Sequence, residues 1–147
     1  MGNILLVIAF IVYVGMLVHA YMCKGDIDCL SDLAYDKHKW LFPALMGIMS
    51  FCLFVAMIDK TPADWQFLCF MAMSGCFGVG FTPCKESENT IAHYICATLA
   101  MGSIVALWLV SGYWWMPFLF CLAGLRSKWL LGVELGILAS AFAYALI

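Results

Sequence analysis

The chain has 147 residues, of which 66% are hydrophobic and only 11% charged, with a mean hydropathy of +1.01 and a net charge of −2. Soluble domains carry about 25% charged residues, so this composition cannot cover a water-facing surface and points to a lipid bilayer as solvent. The absence of a basic patch argues against nucleic acid as a partner.

Six apolar stretches follow one another from Ile4 to Ile147, and nearly every charge falls between them. A span needs ~20 apolar residues, so six of them leave no room for a soluble domain. The expectation is a single transmembrane domain over residues 1–147: an all-α, polytopic bundle of six helices. The start, Met1-Gly2-Asn3-Ile4, has no basic segment of the kind that opens a cleaved signal peptide, so the first span is expected to be retained. It runs over Ile4–Met22 and is followed by a polar loop, Cys23–Lys39. The second covers Trp40–Ile58. Asp59 to Asp64 make a tight turn, with Pro62 suited to a helix start near Asp64. The third covers Trp65–Phe81 and stops at Pro83. After Cys84–Asn89, where Ser87, Asn89 and Thr90 offer N-caps, the fourth covers Thr90–Val110. Ser111-Gly112 turns the chain. The fifth stretch, Tyr113–Leu125, holds Pro117 and rises only ~20 Å, less than the ~30 Å of the bilayer core, so a short or re-entrant segment is expected. The sixth covers Trp129–Ile147.

All six tryptophans (Trp40, Trp65, Trp108, Trp114, Trp115, Trp129) lie within a few residues of a span end. Trp favours the interface, where the ring is apolar and the N–H reaches water. Six spans place both termini on one face, A. The opposite face, B, then holds Lys24, Lys37, Lys39, Lys85, Arg126 and Lys128, against Lys60 alone on face A. By the basic-residue count, face B, with the Cys23–Lys39 loop, is cytoplasmic.

Of the eight cysteines, Cys52, Cys69, Cys76, Cys96 and Cys121 lie inside spans and read as small apolar residues. Cys23, Cys29 and Cys84 lie on face B. The spacing of Cys23 and Cys29 is neither a redox C-x-x-C nor a zinc knuckle. They form a disulfide if that face is oxidising and stay free thiols if it is cytoplasmic.

All three histidines fall on face B: His19 near the end of the first span, His38 just before the second, and His93 about one turn into the fourth. Glu134 sits at similar depth in the sixth, and Asp32 and Asp36 lie in the loop above. Ionisable groups within a span are costly against lipid and usually face the bundle interior or a wet cavity. A carboxyl as deep as Glu134 needs a partner or a proton. His19, Asp32, Asp36, His38, His93 and Glu134 therefore form a candidate polar pocket. Three readings compete for it: a zinc or iron site built from His19, His93, Glu134 and an aspartate, a cavity for a lipid headgroup or small ligand, and ordinary interfacial hydrogen bonding. No metal-ligand spacing such as H-E-x-x-H occurs, and the sequence assigns no cofactor; haem between His19 and His93 is a further option.

Gly132, Gly136 and Ser140 form a small-residue ridge that permits close helix approach, either within the bundle or against a second subunit. Glu134 lies ~200° around the helix from Gly132, so it faces a different neighbour. Gly75, Gly78 and Gly80 in the third span, and Ala97, Ala100 and Gly102 in the fourth, read as close contacts and not phosphate loops.

Leu30-Ser31-Asp32-Leu33-Ala34 followed by Lys39-Trp40-Leu41-Phe42, and Gly78-Val79-Gly80-Phe81 followed by His93-Tyr94-Ile95-Cys96-Ala97, resemble short segments of the DRAM-like/Frag-like six-helix integral membrane protein family. The resemblance covers about a third of the chain. It implies a six-helix membrane fold, a link to lipid or trafficking processes, and recurring polar positions at Ser31, Asp32 and His93. Ala34 stands where that family has Gly, and the family places the first loop outside, opposite to the basic-residue count. The function expected is a small multi-pass membrane protein, not an enzyme, that binds a membrane lipid or a protein partner through the face B pocket. The alternatives are a membrane-embedded metal-dependent lipid hydrolase and an oligomeric transporter or channel. Transport usually needs polar groups at mid-membrane, and only Ser50, Ser74, Thr98 and Ser103 offer them.

Overall fold

The protein was analysed as a computed structural model, which describes residues 2–22, 30–35, 40–82, 90–124 and 129–147. Cys23, Cys29, Asp36, His38, Cys84 and the basic residues of the face B loops lie outside the described residues, and so do the side chains of Ser31, Cys121 and Trp129.

Every regular element among the described residues is helical: α1 (Gly2–Met22), α2 (Leu41–Ile58), α3 (Phe67–Phe81), α4 (Thr90–Val110), α5 (Met116–Gly124) and α6 (Trp129–Leu146). Two short 3-10 segments, Leu30–Tyr35 and Ala63–Trp65, precede α2 and α3. Three helices contain segments long and apolar enough to cross a membrane: Gly2–His19, Leu41–Ile58 and Thr90–Val110. Within α6, Leu131–Leu146 is apolar but shorter. α3 has 15 residues and α5 nine, which rise about 22 and 14 Å against a core of about 30 Å. The start expected at Asp64 becomes a 3-10 turn, and the α-helix begins at Phe67. The shortness expected of the fifth stretch is more pronounced than Tyr113–Leu125 suggested, because Tyr113 to Trp115 are spent on the turn.

α1 packs on α2, α2 on α3, α3 on α4 and α5 on α6, while α6 closes the bundle against α1, α2 and α4. α2 is the central helix, with Met49, Leu53, Phe54 and Met57 fully buried. α1 is peripheral and buries a single stripe, Ala9, Tyr13 and Met16. Large apolar residues cover the outside, among them Ile4, Phe10, Ile11, Phe51, Phe70, Ile91 and Ile95. In water such a surface would drive association; in lipid it is the expected one.

The closest helix approach is between α3 and α4. A Cβ added at Gly75 would lie 2.5 Å from the Ala100 nitrogen and 2.7 Å from the Cys96 oxygen, so these backbones touch. Gly80 similarly backs on Pro43 and Met46 of α2. Gly102, also expected at a close contact, faces open space. On α6, Gly132, Gly136 and Ser140 are buried within the chain, and Ser140 Oγ donates to the Ile137 carbonyl at 2.7 Å.

Candidate functional site

Four of the six expected pocket residues are described: His19, Asp32, His93 and Glu134. At the face B end, the Leu30–Tyr35 segment is pressed into the bundle by Leu33, 3% exposed, and by Leu30. The Leu30 N–H donates to Glu134 Oε2 at 2.6 Å. A helix N-terminus leaves its first N–H groups without internal partners, and the Glu134 carboxyl supplies one. Asp32 is close enough for its charge to act on Glu134. Nearby, Tyr13 donates to the Leu135 carbonyl at 3.3 Å and ties α1 to the same turn of α6.

Below this plug lies a cavity of about 40 Å³, lined in part by Leu30, Cys76, Ala100, Ile104 and Glu134. That is room for a few water molecules at most and not for a headgroup. His93 is buried in the first turn of α4. Its Nδ1–H donates to the Thr82 carbonyl at 2.5 Å, and Thr82 Oγ1 donates to the Gly78 carbonyl at 2.8 Å. His93 thus joins the start of α4 to the end of α3. His19 is half-buried in the last turns of α1. Among the described residues, no group of three or more His, Cys, Asp or Glu converges as metal ligands.

Comparison with protein-family models, curated proteins and solved structures finds no match.

Two further features were not legible as sites in the sequence. A groove of about 680 Å³ runs between α3 and α4, lined by Leu68, Met71, Ile91, Tyr94, Thr98 and Gly102 among others. It follows α4 from Ile91 to Ala106, about 22 Å of helix. Its Ser103 is satisfied by its own helix, donating to Leu99 O at 2.7 Å, so the groove presents an almost wholly apolar lining.

The second feature is at the opposite end of the bundle. Gln66 Nε2 donates to the carbonyls of Ile58 and Thr61, at 3.2 and 3.3 Å, and closes the turn after α2. Thr61 Oγ1 donates to Met57 O at 2.9 Å and lies 3.3 Å from both the Tyr144 hydroxyl and Cys69 Sγ. Ser111 Oγ stands 2.7 Å from Leu107 O and 3.1 Å from the Tyr144 hydroxyl. The ends of α2, α4 and α6 are thereby joined by hydroxyls. After α4 the chain makes a complete Schellman turn: Gly112 adopts φ +81°, its N–H bonds to Leu109 O, and the Tyr113 N–H bonds to Trp108 O, both at 3.1 Å. This folds Tyr113 back onto Trp108.

Trp40, Trp65, Trp114 and Trp115 are exposed near helix ends, as an interfacial belt requires. Trp108 departs from that expectation. It is 1% exposed, and its Nε1 is buried without a hydrogen-bond partner among the described residues. The cause is its position on the inward face of α4, where Tyr113 and Tyr144 cover it.

Proposed function

We propose that the chain is a six-helix membrane bundle that acts as a non-enzymatic lipid binder. The single observation that carries this is the groove between α3 and α4. It follows a helix long and apolar enough to cross a membrane, so within a bilayer its natural occupant is an acyl chain. At the face B end of the groove, Tyr94 lies beside His93, with ring centroids 6.0 Å apart. The headgroup would sit there, with Glu134 holding the neighbouring segment through the Leu30 N–H. By the basic-residue count this face is cytoplasmic. The family likeness read from Leu30–Ala34 and His93–Ala97 belongs to the same proposal, since both segments contribute to this end.

The hydrolase reading lacks a ligand group among the described residues. The transport reading gains nothing from Ser50 and Ser103, which bond to carbonyls of their own helices.

The test is native mass spectrometry of the purified protein beside its Thr98→Trp and Gly102→Trp variants, which fill the groove. The expected outcome is a retained lipid on the parent chain that both variants lose while staying folded by circular dichroism. Equal lipid retention by all three would overturn the proposal. Loss of a dimer in place of a lipid would assign the groove to a second copy.

A further inference from the structure

The shortest helix lies on the outside of the bundle. α5 opens directly from the turn that ends α4: the Met116 N–H bonds to Tyr113 O at 3.0 Å and the Leu119 N–H to Trp115 O at 3.3 Å. It therefore starts at face A, where Trp114 and Trp115 are exposed as interfacial anchors. It packs on α6 and touches α4. Its other side is open, with Phe118, Leu119 and Leu122 each more than half exposed. Trp114 and Phe118 meet edge to face, with centroids 6.5 Å apart, so the anchor and the open side are one surface. α5 ends at Gly124 after nine residues, about 14 Å of rise. Its neighbours α4 and α6 have 21 and 18 residues, about 31 and 27 Å.

The inference rests on the membrane bundle proposed above. In a hydrocarbon core of about 30 Å, α5 covers about half the depth. Two constraints then bear on the level of Gly124. A helix leaves its last four carbonyls without partners of its own, and lipid-exposed backbone outside a helix does not occur in hydrocarbon. The sequence also continues Leu125-Arg126-Ser127-Lys128, two cations in four residues. Arg126 is two Cα steps beyond Gly124, at most about 7 Å, so its backbone stands no more than about 21 Å above the start of α5. A charge at that depth needs protein or water around it.

A lipid-facing stretch shorter than the core is met by thinning of the bilayer. We propose that the α5 side makes a notch in the membrane: headgroups and water of the face B leaflet descend to the level of Gly124. The partner of this surface is phospholipid drawn inward by the short helix, and the cations that follow Gly124 suit its phosphates. None of the exposed residues of α5 lines the groove between α3 and α4, so the notch is a second lipid surface.

The experiment places the full chain in phosphatidylcholine vesicles with a membrane-impermeant maleimide on both sides. Labelling of Leu122→Cys and Ile8→Cys variants is read residue by residue by mass spectrometry. Both positions are exposed on the outside of the bundle, and both lie six residues, about 9 Å, past the face A start of their helix. Entry from face A therefore serves them equally. The thiolate is the reactive form, so a thiol in hydrocarbon reacts slowly. Leu122→Cys is expected to react at least about a hundredfold faster than Ile8→Cys. A second arm follows the unaltered chain by circular dichroism in bilayers of 14-carbon and 22-carbon monounsaturated phosphatidylcholine, and decides the matter if a variant fails to fold. The unfolding temperature is expected to be higher in the thinner bilayer. Leu122→Cys as slow as Ile8→Cys, or an equal or higher unfolding temperature in the thicker bilayer, would overturn the notch. Fast labelling at both positions would overturn the membrane bundle itself, so the two failures are told apart.

Discussion

Gly75→Ala tests how the bundle is built. The added methyl would meet the Ala100 nitrogen at 2.5 Å, the Cys96 oxygen at 2.7 Å and the Ala100 Cα at 2.9 Å. All three are backbone atoms of α4, so no rotamer change can relieve the contact. Ordinary van der Waals separation requires the two helices to part by about 1 Å, which loosens every side chain along their interface. Overpacking of this kind costs typically 1–3 kcal/mol. Ala is favoured over Gly inside a helix by about 1 kcal/mol, which offsets part of that. The net expectation is a loss of up to about 2 kcal/mol, which places Gly75→Ala about 1–3 kcal/mol below a Gly→Ala change free of any clash. Gly102→Ala supplies the internal control. It makes the same chemical change in the partner helix, but nothing lies within 4 Å of the new Cβ, so stability should hold or rise by up to about 1 kcal/mol. Both variants can be unfolded chemically in one detergent and followed by circular dichroism. A Gly75→Ala protein as stable as the Gly102→Ala protein would refute the backbone contact between α3 and α4.

Three other outcomes follow from particular contacts. Gly112→Ala forces a side chain into the left-handed region at φ +81° and should cost about 1–2 kcal/mol, read by denaturant titration; an unchanged stability would refute the turn. Tyr144→Phe removes the hydroxyl shared by Ser111 and Thr61 and should lower stability by about 1 kcal/mol, measured by thermal unfolding; no change would mean that the two hydroxyls bond only to their own helices. Glu134→Gln keeps an acceptor for the Leu30 N–H, whereas Glu134→Leu leaves that donor unpaired at a cost of about 1–3 kcal/mol. Hydrogen exchange over Leu30–Tyr35 should therefore quicken strongly in the Leu variant and little in the Gln variant.

Much of the architecture could be read from the chain because bilayer physics writes it in composition. Apolar runs marked the helices, Pro62 and Gly112 marked turns, and the shortness of the fifth stretch showed in its length. Gly75 and Gly80 announced close approaches, while Gly102 did not behave as they do, since spacing says where a small residue lies and not what faces it. The polar positions were harder. Sequence gives His19, His93 and Glu134 a common depth, and depth fixes only one of three coordinates. His93 reaches back to a carbonyl of α3, and Glu134 reaches the start of a loop. Trp108 shows the same gap: position in sequence placed it at the level of the interface, and only packing shows that it turns inward. Its covering depends on a left-handed turn that brings Tyr113 onto Trp108, and no periodicity reports that.

The bond between the Leu30 amide and Glu134 spans 104 positions of sequence, which constrains the order of assembly. Synthesis delivers the early hairpin of α1 and α2 long before the residue that fastens their connection exists. Until the final helix enters, the Leu30–Tyr35 segment has no carboxyl to hold it, and the cavity beneath it lacks a wall. α6 therefore latches the Leu30–Tyr35 segment from the far end of the sequence, and a chain cut before α6 would lack that bond.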